Sequence, residues 1–261
     1  MSQIKCESCS NEKTDRVNIS RFIQKLDSYL AVNDLAGATR HLEYWESEAR
    51  SNNDIKGLTA ILNEQVGLFR RTGEKDKAML AVDSLLELLK GDISQCGKSY
   101  ATMLVNIATT LKAFDRQSDA MKYYDMAEKS FVDLGLNMSY EYAAFQNNMA
   151  ACLCDLAMFD KAEKCFDEAI RILTVDGQHD GEIAVSLVNK AHMIFERDSE
   201  AYEAVEETLD LAWEYINSDR QPHDANYAFI LSKCAPSFRY FGREIEADAL
   251  EEVAKEIYGT K

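Results

Sequence analysis

Two stretches of the chain, "QSDAMKYYDMAEKSF" (Gln117 to Phe131) and "FDKAEKCFDEAIRIL" (Phe159 to Leu173), carry the same amphipathic pattern, with Ala120 and Ala162 42 residues apart. Self-similarity at a fixed period restricts a chain to stacked copies of one small unit, each burying the apolar face of its neighbour. Extending the comparison in both directions finds Ala38, Ala78, Ala204 and Ala247 in equivalent settings, at successive spacings of 40, 42, 42, 42 and 43 residues. Nine residues before each alanine stands a large apolar side chain: Tyr29, Phe69, Leu111, Leu153, Phe195 and Phe238.

A helix–turn–helix unit explains both positions. The large residue closes the first helix (A), and the alanine sits early in the second (B), where a small side chain lets two helices approach to about 8–10 Å. Gly73, Gly242 or Asn33 can supply a left-handed residue in the turn. Gly91, Gly135, Gly177 and Gly259 stand where B helices should end. The predicted pairs are 18–32/35–50, 54–72/75–90, 97–114/117–134, 139–157/160–175, 180–197/200–217 and 224–241/244–258. Only two prolines interrupt 261 residues, which suits long helices.

"NNMAACLCDLAMFDKAEKCFDEAI" (Asn147 to Ile170) resembles a tetratricopeptide repeat (TPR). Asn148, Met149 and Ala150 fill its helix-A positions, and Ala162, Phe166 and Ala169 its helix-B positions. Asn106, Ile107, Ala108, Ala120, Tyr124 and Ala127 match in the preceding unit. The 42-residue period is similar to the long repeats of kinesin light chains and bacterial peptide-pheromone receptors. The resemblance implies an all-α, right-handed superhelical solenoid of six repeats, about 18–52, 53–94, 95–137, 138–178, 179–221 and 222–259. A polar tail (1–17) would precede one solenoid domain (18–261). The ends suit such an array. The last helix places Ile245, Ala249, Val253 and Ile257 on one stripe, and the first places Ile19, Phe22, Ile23, Leu26 and Tyr29 on another.

Charge narrows the partners. A formal net charge of −16 disfavours nucleic acid and anionic membrane and favours a protein that is neutral or basic overall. No apolar run is long enough for a membrane span, and seven cysteines scattered mostly in helical context fit a reducing, cytoplasmic compartment.

Chemistry is sparse. His41, His179, His192 and His223 lack mutual metal-ligand spacing, and no glycine-rich phosphate loop is present, so the expectation is a non-enzymatic protein without cofactor. Cys6 and Cys9 form one C-x-x-C, whose two thiolates fall short of the four ligands of a structural zinc site. Two chains could complete such a site, but a polar tail whose thiols do no chemistry is the preferred reading. Pro236 falls inside the last A helix and strips the Ser232 carbonyl of its donor. It either simply kinks the array's end or bends a wall formed with Phe229, Arg239 and Tyr240.

An asparagine series carries the binding expectation. Asn63, Asn147 and Asn189 lie fifteen residues before their alanines, and Asn106 and Asn148 fourteen before. The resemblance implies that A helices line a concave groove. An asparagine there can bridge the N–H and C=O of an extended peptide. The expected groove residues are Asn63, Arg70, Asn106, Lys112, Asn147, Asn189, Phe229 and Arg239, with Arg70, Arg71 and Lys112 offering charge to an acidic side chain or C-terminal carboxylate. The alternative for Asn106 and Asn148 is a packing role between helices. The expected function is therefore a protein- or peptide-binding module; a scaffold assembling through outer or end surfaces, or a signal-peptide receptor governing a separate effector, are its rivals. Deleting residues 1–15 should leave melting temperature and oligomeric state unchanged. Loss of a dimer on deletion, reproduced by Cys6→Ser with Cys9→Ser, would reinstate the metal reading.

Overall fold

A computed structural model describes residues 17–90, 97–220 and 222–259, which leaves Cys6 and Cys9 outside the described residues. All regular structure among the described residues is α-helical, and the chain divides into two compact units, Met1–Gln95 and Cys96–Lys261. The first holds α1 (Ile19–Leu30), α2 (Leu35–Ser51), α3 (Ile55–Thr72) and α4 (Lys75–Lys90). The second holds α5 (Lys98–Ala113), α6 (Gln117–Asp133), α7 (Tyr140–Asp155), α8 (Phe159–Asp176), α9 (Asp180–Arg197), α10 (Tyr202–Ile216), α11 (Ala225–Tyr240) and α12 (Glu244–Gly259). Every helix boundary falls within two residues of its predicted position, and odd-numbered helices are the A helices.

Five of the six A–B turns are one and the same structure. The residue four before the anchor alanine donates its backbone N–H to the carbonyl of the large apolar residue. The pairs are Asp34 to Tyr29, Glu74 to Phe69, Arg116 to Leu111, Met158 to Leu153 and Arg243 to Phe238, at 2.8–2.9 Å. The residue between, five before each anchor, is left-handed: Asn33 (φ 54°), Gly73 (74°), Asp115 (63°), Ala157 (55°) and Gly242 (79°). It donates in turn to the carbonyl three residues back, completing a Schellman cap. The large residue recurs at a fixed distance because its carbonyl is the cap's acceptor. The alanine recurs because it lies one helical turn after the N-cap, fully buried at Ala38, Ala78, Ala120, Ala162 and Ala247.

The fifth pair departs from the expected register. Its four-residue turn, 198–201, contains no left-handed residue; Asp198 donates to Ile194 (3.0 Å) and Ala201 to Asp198 (3.1 Å). The first bond of α10 runs from Val205 to Ala201, so Val205, 3% exposed, occupies the anchor site and Ala204 lies in solvent. On the A side, Ile194 is buried and Phe195 only half-buried, so Ile194 replaces Phe195 as the closing residue. Equal sequence spacing hid a turn with extra residues.

Within each unit every A helix packs on its own B helix, and α2, α6 and α8 also pack on the A helix that follows them. In the second unit Phe131 of α6 meets Tyr142 and Phe145 of α7 with ring centroids 5.6 and 5.7 Å apart. The ends bury less than expected. In α12 Ala247, Leu250 and Ala254 are buried, whereas Ile245 is 84% exposed, so the predicted stripe is rotated toward solvent. In α1 Phe22 and Leu26 are buried and Ile19 is exposed. Eleven residues after each anchor, Ala49, Leu89, Phe131, Leu173 and Ile216 are buried, whereas Tyr258 of α12 is 53% exposed.

Ala162→Leu should cost about 1–3 kcal/mol by overpacking, and Ala204→Leu less than about 0.5 kcal/mol, read by denaturant unfolding. Equal costs would restore the sequence register. Ala157→Gly should stabilise by about 0.5–1 kcal/mol, since it relieves a left-handed alanine.

Candidate functional site

Within Cys96–Lys261 the A helices α5, α7, α9 and α11 pack side by side in chain order. Leu111, Leu153, Ile194 and Phe238 are equivalent, so positions nine, five and two before each, and two after, share one face. On α5 these are Thr102, Asn106, Thr109 and Ala113; on α7, Ala144, Asn148, Ala151 and Asp155. On α9 they are Val185, Asn189, His192 and Glu196; on α11, Phe229, Lys233, Pro236 and Tyr240. Steps of four, three and four keep each set on one helical stripe, and none of these residues is buried. Together they form an open face, amide-rich along its middle row, with small side chains flanking the row on α5 and α7 and rings on α9 and α11.

The middle row is Asn106, Asn148, Asn189 and Lys233. The Asn148 amide donates to the Ala144 carbonyl of its own helix (2.9 Å), and Asn189 makes no hydrogen bond among the described residues. Asn147 lies one position off the row, equivalent to the buried Val105 and Val188, and its side-chain oxygen is buried without a partner. Asn63 and Arg70 belong to α3 of the first unit. Asn63 reaches Glu64 at 3.5 Å, and burial raises the Glu64 carboxyl above the usual range.

Cations on these four helices are almost all neutralised. Lys98 pairs with Glu141, Lys190 with Asp167 and Arg197 with Glu163. Lys112 reaches Asp155 across α5 and α7 at 3.3 Å. Arg239 binds Glu244, Asp248 and Glu251 of α12 at once, so it staples the last hairpin. Lys233 is the exception: its ammonium lies 5.3 Å from the centre of the Phe229 ring, with no carboxylate in ion-pair range among the described residues. Lys233 is visible in the sequence only once positions are counted from the capping residue, five before Phe238.

His192 closes the row's far side. Its Nε2 shares a 3.0 Å hydrogen bond with Ser237 Oγ of α11, and its ring stacks obliquely on Tyr240 and Phe241, centroids 5.2 and 4.8 Å away. Burial holds its pKa below the usual value. Pro236 stays within a continuous α11, exposed beside Ser237. Burial pushes the Cys152 and Cys165 thiols up to about 11 and the Cys154 and Cys234 thiols up to about 12, so they stay protonated and poorly nucleophilic at neutral pH. No group of three or more metal-competent side chains occurs among the described residues, nor any helix long and apolar enough to cross a membrane.

Known structures bear on the fold alone. The chain is similar to BtubC (BKLC) from P. vanneervenii, at 18% identity and a TM-score of 0.58 over 93% of this chain and 92% of that one. It is similar to nearly identical TPR-like repeats of a candidate kinesin light chain from Podosopora anserina, at 13% identity and a TM-score of 0.51, over 75% and 92% of the two chains. A variant of those repeats matches at 12% identity and a TM-score of 0.52 over the same shares. No protein-family model and no curated relative matches. The fold is a TPR-like solenoid.

His192 also predicts a pH dependence. Its folded pKa is depressed, so its contribution to stability is present above the unfolded value near 6.5 and declines as pH falls below it. The melting-temperature advantage of wild type over His192→Gln should therefore shrink between about pH 7.5 and 5.5. An advantage that grows on acidification would contradict a neutral, buried imidazole.

Proposed function

We propose that the open face of α5, α7, α9 and α11 holds an extended segment of a protein partner, with Asn106, Asn148 and Asn189 engaging its backbone. The aligned amide row carries this reading: its members sit at one register position on three neighbouring helices, with small or neutral residues around them. Helix neighbours are spaced by about 10 Å and an extended chain advances about 3.3 Å per residue, so each rung meets every third residue of ligand. Three rungs span roughly seven residues. Each amide presents two donors and one acceptor, which suits backbone recognition without side-chain readout. Phe229 adds apolar surface at one end of the face, and Asn147 lines the row's edge. Asn63 and Arg70 would serve a separate contact on the first unit. Lys112 and Arg239 contribute mainly through their ion pairs, which join α5 to α7 and α11 to α12. The acid-rich chain favours a partner that is neutral or basic overall.

The test is the Asn148→Ala, Asn189→Ala double variant against a displayed random-peptide library. If the two amides bind ligand, affinity for wild-type-selected peptides should fall by roughly tenfold or more with melting temperature nearly unchanged. A lower melting temperature with retained affinity would assign the row to interhelical packing.

A further inference from the structure

Eight residues, 217–224, connect α10 to α11, against three in each of the α2–α3 and α8–α9 connections. One exposed side chain of this long loop holds a buried charge. Asp180, the first residue of α9, is 3% exposed, and the Arg220 guanidinium grips its carboxylate twice. Nη2 donates to Oδ1 at 2.7 Å and Nε to Oδ2 at 2.9 Å. No other cation reaches Asp180 among the described residues. Taking one partner from a buried pair leaves an uncompensated charge, which is the costly way to break it. The Arg220 side chain is itself 62% exposed, so an anion on the solvent side can compete for it. Ser218 places a hydroxyl at that position. Its Oγ accepts from the Arg220 backbone N–H at 3.3 Å and lies 3.4 Å from the same Nε that donates to Asp180. Ser218 is half-buried and lies outside any helix, so modifying it requires no helix to unwind.

We propose that Ser218 is a phosphorylation site, and that its phosphate draws Arg220 away from Asp180 and loosens the start of α9. The reaction is that of a protein kinase using a nucleoside triphosphate. The Ser218 Oγ–phosphorus bond forms, and the bond from the γ-phosphorus to the oxygen bridging it to the β-phosphate breaks. The nucleoside diphosphate leaves, and the hydroxyl proton passes to the kinase's base. Phosphorylation replaces a neutral acceptor with nearly two negative charges and three strong acceptor oxygens, tethered two residues from Arg220. Two anions then compete for one guanidinium. The phosphate stays hydrated while it pairs with an arginine that already points outward, whereas Asp180 has no water to fall back on. Even a shared guanidinium leaves about three negative charges facing a single positive one, so the hold on Asp180 weakens either way. The switch does not depend on the ligand proposed for the open face. It does act on that face, because α9 and α11 supply two of its four helices.

The full chain is produced with phosphoserine genetically encoded at position 218, and its amide hydrogen exchange is compared with that of the unmodified chain. Ile183 is the reporter, since its N–H closes the first turn of α9 onto the His179 carbonyl at 3.0 Å. Ile183 and Ala184 should exchange about tenfold faster in the phosphorylated chain, while the buried Leu104 and Ile107 of α5 keep their rates. Arg220→Gln should reproduce this acceleration without phosphate. In Asp180→Asn, where no buried charge remains, the phosphate should add nothing. If either variant fails to fold, the phosphorylated and unmodified wild-type chains decide the question alone. Unchanged or slower exchange at Ile183 on phosphorylation overturns the switch, as does an equal acceleration in Asp180→Asn. The modification itself is read by mass spectrometry of the chain isolated, with phosphatases inhibited, from the cells that make it. A phosphorylated fraction at Ser218 is expected, and its absence removes the site.

Discussion

The hydrogen bond from the residue four before each anchor back to the carbonyl nine before it organises this molecule. It fixes where the A helix stops, sends the chain through one left-handed residue and starts the B helix in a set phase. Each repeat therefore presents the same faces to its neighbours, and the buried alanine and its large partner follow as consequences. Where this bond is absent, after Ile194, the chain needs extra turn residues and the phase of α10 slips by one.

That slip explains how far the sequence could be read. Helix number, order and ends were legible because Asn33, Gly73 and Gly242 announce left-handed turns and the apolar stripes recur. Asp115 and Ala157 adopt the same conformation without any such announcement. Counting back from Ala204 placed Asn189 beside Asn147, but Val205 is the true anchor, and with Ile194 as reference Asn189 joins Asn106 and Asn148. A one-residue shift rotates a helical position by about 100°, enough to move a side chain between a core and an open face. The terminal stripe of α12 was misassigned for a related reason. Ile245 is apolar, yet its register position is solvent-facing in every other B helix.

Charge was legible as a total but not as an arrangement. Lys112 and Arg239 look like anion receptors until Asp155 on α7 and three carboxylates on α12 are seen to occupy them. Conversely, Lys233 stands out only when those neutralisations are counted. Such pairs join residues on different helices, and no local pattern forecasts which carboxylate a long side chain will reach.

The central claim is that three side-chain amides on separate helices act as one surface. It is tested most directly by following the Asn106, Asn148 and Asn189 side-chain NH2 resonances by NMR during titration with a peptide selected on the full chain. The account predicts that all three pairs shift together and saturate with a single Kd, while residues on the outer faces of α6 and α8 stay still. Saturable binding that leaves these three amides unmoved and shifts the outer faces instead would contradict it.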